Sequence, residues 1–139
     1  MKRRRVLLAL CALAGSLVWR AGPVAADASG PDLIARAYAQ RLSNVQVESS
    51  GVIEKVLKDD NNGSRHQRII VRLVSGQTIL IAHNIDLAPR VADVREGTPI
   101  SFYGEYEWNN KGGLVHWTHR DPSGRHRAGW IKYAGRVYQ

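Results

Sequence analysis

The chain has 139 residues, 20 Lys and Arg against 12 Asp and Glu for a formal net charge of +8, and one cysteine, Cys11. A single cysteine excludes a disulfide framework and a multi-thiolate metal site within the chain. Five basic residues, Lys2, Arg3, Arg4, Arg5 and Arg20, lie in the first 20 positions without an acid among them, so the remainder carries +8 less 5, or +3; that is not the dense basic footprint of a dedicated nucleic-acid binder.

The basic start, the apolar run Val6 to Val18 and the small residues Val24, Ala25 and Ala26 stand in the order of a secretory signal peptide. At about 13 residues the apolar run is short for a membrane-spanning helix. Residues 1–26 are therefore expected to be a signal peptide, removed after Ala26 or Ala28, leaving a secreted or periplasmic chain with no transmembrane span and no cysteine. An uncleaved N-terminal anchor is the alternative. The remaining 113 residues (139 less 26) suit one domain, expected as a monomer, with 27–44 a polar lead and short helix and 45–139 a small β-barrel domain.

Pro31 to Ser43 sets Leu33, Ile34, Ala37, Tyr38 and Leu42 at helical spacing behind a proline suited to a first turn, which predicts one amphipathic helix. From Val45 the period becomes that of strands. Val45 to Leu57 is the first, closed by the turn-rich run Lys58 to Ser64, whose Asp59 and Asp60 read as a solvated loop tip or as oxygen ligands for a hard cation. Arg65 to Val74 and Gln77 to His83 read as a hairpin around a two-residue turn, Ser75-Gly76. That turn pairs Val71 with Leu80 and predicts Ile69, Val71, Leu73, Thr78, Leu80 and Ala82 as the core face, with Arg68, Arg72 and His83 opposite.

His83 to Pro99 reads as a connector in which Asp86 either caps a short helical turn or serves a site. Ile100 to Trp108 and Leu114 to His119 predict a second hairpin. Pairing Trp108 with Leu114 puts Phe102, Tyr106, Trp108, Leu114 and His116 on a core face, and Tyr103, Glu105, Glu107, Trp117 and His119 on the other. Five strand-like segments with a connector after the third predict a mainly β fold, a small five-stranded OB-like Greek-key barrel with a short N-terminal amphipathic helix. A small open meander sheet is the alternative.

The chemistry concentrates in Gly104 to Trp130, which holds three of the five histidines and three of the four tryptophans. Arg68, Arg72, His83, Glu105, Trp117, Arg125 and Trp130 form a candidate ligand-binding set: arginine forks suit phosphate or carboxylate, and tryptophan stacks on bases or sugars. His119, Asp121 and His126 surround a turn and offer imidazole and carboxylate ligands of the kind Zn²⁺ or Mn²⁺ accepts, so a divalent metal ion is the candidate cofactor. Histidines three apart on a strand face opposite ways, so His116 and His119 share a site only where the strand bends or ends between them.

HQRIIVRLVSGQTILIAHNIDLAPR, GEYEWNNKGG, HWTHRDPSGRH and GWIKYAGRVYQ resemble a bacterial family of exported proteins known as domain of unknown function 3465, from about Gly51 to Gln139. The resemblance implies a secreted single domain and transfers no activity, cofactor or catalytic residue. Two function classes follow from the residues themselves. One is a binding module for an anionic ligand, nucleic acid or phosphate-bearing, or for a saccharide. The other is a metal-dependent, nuclease-like hydrolase in which a cation activates water. A thiol or serine nucleophile is disfavoured, as no G-x-S-x-G elbow occurs.

Overall fold

The computed structural model describes residues 30–139, so the signal-peptide reading and Cys11 lie outside the described residues. Helix α1, Gly30–Ala39, has Pro31 in its first turn and buries Ile34 and Ala37 in the barrel core. It ends in a Schellman arrangement: Leu42 N–H donates to the Ala37 carbonyl at 2.8 Å and Arg41 N–H to that of Tyr38 at 3.1 Å. Arg41 occupies the left-handed position glycine usually takes, at φ 54°, and its guanidinium lies 5.4 Å over the Trp108 ring. Among the described residues no helix is long and apolar enough to cross a membrane.

Five strands close into a barrel: β1 Val45–Val56, β2 His66–Leu73, β3 Thr78–Asn84, β4 Pro99–Glu107 and β5 Leu114–His116. The order is β1-β2-β3-β5-β4, and β4 returns to β1. β1 serves two neighbours because it is long enough to bend between them, pairing Val47 with Gly104 in β4 and Ile53 with Val71 in β2, with a register shift between Ile53 and Lys55. Closure is completed where β3 and β5 run parallel, Leu80 against Leu114 and Ile81 against Val115. This leaves no free edge within the barrel and is the Greek-key barrel expected from the order of segments.

Both hairpins sit one residue away from their expected registers. Leu73 N–H donates to the Gln77 carbonyl and Gly76 N–H to that of Leu73, both at 2.9 Å, so the first loop has three residues, Val74, Ser75 and Gly76. Gly76, at φ 85°, supplies the left-handed residue that ends such a loop. Val71 therefore faces Ile79, and the core side of β3 is Ile79, Ile81 and His83; Thr78, Leu80 and Ala82 stand outside with Arg68 and Arg72. In the second hairpin Glu107 pairs with Leu114, Tyr106 with Val115 and Glu105 with His116. Trp108 leaves the ladder because its N–H donates to Ser43 Oγ at 2.9 Å, and Asn109 Oδ1 closes the loop by accepting from Lys111 and Gly113 N–H. His116 thus stands outside, and Val115 takes the core position.

A further hairpin, not anticipated as strands, β6 Trp130–Tyr133 and β7 Arg136–Tyr138, extends the sheet from β4 through the Phe102–Ile131 pair. The connector from β3 to β4 has no helix and is held by side chains. Gln67 bonds Val91 through both its amide atoms, at 2.9 and 3.0 Å, and Tyr133 Oη accepts from Arg95 N–H at 3.1 Å. Asp86 pairs with Arg65 at 2.7 Å, and Asp59 takes Arg90 at 2.6 Å, so both aspartates fasten loops.

Candidate functional site

Strand alternation places His66, Arg68 and Ile70 of β2, Thr78, Leu80 and Ala82 of β3, and Leu114 and His116 of β5 on one outer surface. Three hollows adjoin along it. The first, about 260 Å³, lies between Arg68, Ile70, Leu80 and the loop residues Asn109, Lys111 and Gly113. The second, about 310 Å³, shares Arg68 and Leu80 with it and adds Asp60, His66, Leu114 and His116. The third, about 210 Å³, shares His66 and His116 and ends at Asn84, Leu87, Trp117 and His119. Together they make a groove across β2, β3 and β5 with an apolar floor and cationic or imidazole walls. Larger hollows of about 430 and 460 Å³ lie beside Tyr133 and over Gly51 and carry neither histidine nor tryptophan.

The groove bends where β5 ends. Trp117 sits at φ 53°, in the left-handed region, and this reversal lets His116 and His119 line one hollow although they are three apart. His119 is 3% exposed, its Nδ1–H donating to the Arg120 carbonyl at 2.7 Å. Burial pulls its pKa below the ordinary histidine value, though that hydrogen bond works the other way. His83 lies beneath, fully buried. Its Nε2–H donates to the Pro89 carbonyl at 3.0 Å, so in the neutral ring Nδ1 accepts from Thr118 Oγ1 at 2.8 Å. Desolvation lowers its pKa to about 4.

Beside the groove, on the outer face of β4 and β5, Glu105, Glu107 and His116 converge, with one ligand atom from each lying within 4.8 Å of the others. Glu105 Oε2 accepts from His126 Nε2–H at 2.8 Å, and the His126 ring is stacked on Trp117 with centroids 4.0 Å apart. Partial burial opposes the charge of Glu107, but polar contacts with Ser43 and Glu105 and the nearby His116 imidazole together outweigh it and hold its carboxyl below the usual range.

The residues singled out in the sequence distribute over this surface unevenly. Arg68 walls the groove, fixed by Nε–H to the Lys58 carbonyl at 2.8 Å, and Trp117 closes its end. Arg72 turns to Glu54 at 2.7 Å and borders a different hollow, and His83 is inside the barrel rather than beside the arginines. Glu105 belongs to the cluster beside the groove. Trp130 stacks on Tyr103 at 6.1 Å with Lys132 Nζ 4.0 Å over its ring. Asp121 organises its own turn, accepting from Ser123 N–H and Oγ–H and from the Arg125 and His126 amides; these bonds, Ser123 foremost, hold its carboxyl well below the ordinary value. Arg125 Nε–H donates to Ser123 Oγ at 3.1 Å on that turn. Among the described residues, ligand atoms at metal spacing come together at Glu105, Glu107 and His116. Sequence reasoning passed over His66 and Lys111, and His116 was assigned to the core because the loop length set the wrong register.

A family model described as a protein of unknown function, DUF3465, matches residues 14–139. The chain belongs to this family. No curated protein matches it. For this DUF3465 chain the functional reading therefore rests on the groove and the cluster beside it.

Proposed function

We propose that the chain is a binding module whose groove over β2, β3 and β5 takes an extended anionic or sugar-like ligand. The observation that carries this is the continuity of the three hollows, each sharing two wall residues with the next. Ile70, Leu80, Leu114 and Ala82 give apolar floor area for rings or sugar faces. Lys111 and Arg68 supply donors along the walls, with the imidazoles of His66, His116 and His119 beside them and Asp60 the acid among them. The donors outnumber the acid, which favours phosphate, sulfate, carboxylate or hydroxyl groups. The outer face of the second and third strands is also where barrels of this architecture present a binding surface.

The test is direct binding of the mature protein to three probes of similar length: a short single-stranded oligonucleotide, a sulfated oligosaccharide and a neutral oligosaccharide. Polyanion affinity should fall linearly on a log–log plot against salt, whereas neutral-sugar affinity should not. Arg68→Ala should weaken either kind of ligand by roughly tenfold, the worth of a hydrogen bond to a charged group. Absence of binding to all three overturns the proposal. Cleavage of a probe that depends on a divalent cation would replace it with the hydrolase alternative.

A further inference from the structure

We propose that Glu105, Glu107 and His116 form a divalent-metal site, suited to Zn²⁺, on the outer face of the β4–β5 hairpin. The inference stands apart from the groove reading, since it rests on different side chains except for His116. Glu105 and Glu107 are two apart on β4 and so point the same way, and the Glu105–His116 pair brings the imidazole across from β5. All three ride on adjacent strands of a closed barrel, which fixes their separation before any ion arrives.

The distances fit a ligand set. His116 Nε2 is 3.4 Å from Glu107 Oε1 and 3.6 Å from Glu105 Oε1. A tetrahedral ion with bonds of about 2.0–2.2 Å holds its ligand atoms about 3.3–3.6 Å apart. An imidazolium serving these carboxylates would instead donate to one of them at hydrogen-bond length. The same Glu105 shows what that looks like, because its other oxygen takes His126 Nε2–H at 2.8 Å. His116 Nε2 is buried and has no hydrogen-bond partner at all, so a buried nitrogen is aimed at two carboxylate oxygens without bonding either. A cation between the three would satisfy it. Three protein ligands leave a fourth position for water or a bound group.

His126 is a positioning residue for this site. Its ring lies flat on Trp117, and its Nε2–H holds Glu105 Oε2 and turns Oε1 toward His116.

The protein, purified without a histidine tag and stripped with chelator, is titrated with Zn²⁺ against a chromophoric competitor, with metal content by elemental analysis and circular dichroism of every variant. One Zn²⁺ per chain is expected for wild type, and Co²⁺ in its place should give the visible absorption of a four-coordinate ion. Glu107→Gln and His116→Ala should lose the stoichiometric ion with spectra unchanged; the isosteric Glu107→Gln decides if His116→Ala fails to fold. His126→Ala should keep one site at about 10- to 100-fold weaker affinity, and His119→Ala and Asp121→Asn should keep full stoichiometry. Zinc-free wild type, or one ion retained in both Glu107→Gln and His116→Ala, overturns the proposal, as does loss of the ion in Asp121→Asn while Glu107→Gln keeps it.

Discussion

Trp117 and His126 lie face to face, ring centroids 4.0 Å apart and planes 8° from parallel. The contact joins the end of β5 to the Asp121 turn and aims the imidazole at Glu105. A double-mutant cycle of Trp117→Leu and His126→Ala should show a coupling of about 0.5–1.5 kcal/mol in thermal or denaturant unfolding, the usual worth of a stacked ring pair beyond its buried area. A coupling indistinguishable from zero would mean the two rings are merely neighbours.

The three-residue loop at Val74 to Gly76 sets which β3 side chains are core. Ile79 is 1% exposed and Leu80 stands on the groove side. Ile79→Ala should therefore cost about 2–5 kcal/mol, and Leu80→Ala roughly 1 kcal/mol. Denaturant midpoints of the two variants measure this, and a reversed order would restore the two-residue turn.

This hairpin also shows where the sequence was legible. Alternation in Ile69, Val71 and Leu73 identified the strand and its buried face because a strand's period is two whatever its partner does. The face of β3 depended on the number of loop residues, which Ser75-Gly76 left ambiguous: glycine suits the end of a three-residue loop as well as a two-residue turn. The same one-residue uncertainty hid His116, since Trp108 leaves its ladder for a bond to Ser43, 65 positions away. The order of strands predicted the barrel, whereas the Glu105–His126 bond needed the turn at Asp121 folded. β6 and β7 are four and three residues long and gave too little periodicity to be read as strands.

His83 makes stability depend on pH. Burial lowers its pKa to about 4 from the ordinary 6.5, against the pull of its bond to the Pro89 carbonyl. As pH falls the unfolded chain takes up the proton first, so the stabilisation is full above about pH 6.5, declines below it, and is wholly lost near pH 4. The loss attributable to this residue should be on the order of 3 kcal/mol at most. Unfolding free energies of wild type and His83→Gln across pH 4 to 7 test it: the difference between them should change with pH, and parallel curves would refute the assignment.

Gly129 donates its N–H to the His119 carbonyl at 2.9 Å, and a β-carbon there would meet the backbone oxygens of Trp117 and Tyr103. Neither oxygen belongs to a side chain that can swing away. Gly129→Ala should destabilise the fold by about 1–3 kcal/mol, the usual cost of overpacking, and release the Trp117–His126 stack. Melting temperature together with tryptophan fluorescence reads both effects, and a native-like melt with an unchanged spectrum would show that the segment has room.

The binding groove is tested most directly by amide and side-chain NMR shifts of the protein as a short oligonucleotide or a sulfated oligosaccharide is added. The account expects a contiguous set of perturbed residues running from Lys111 through Arg68 and Leu80 to His66, His116 and Trp117, with Arg72 and Tyr133 unmoved. Shifts centred on Arg72 and Pro99 or on Tyr133 and Tyr138, or no shifts with any of the ligands, would contradict it.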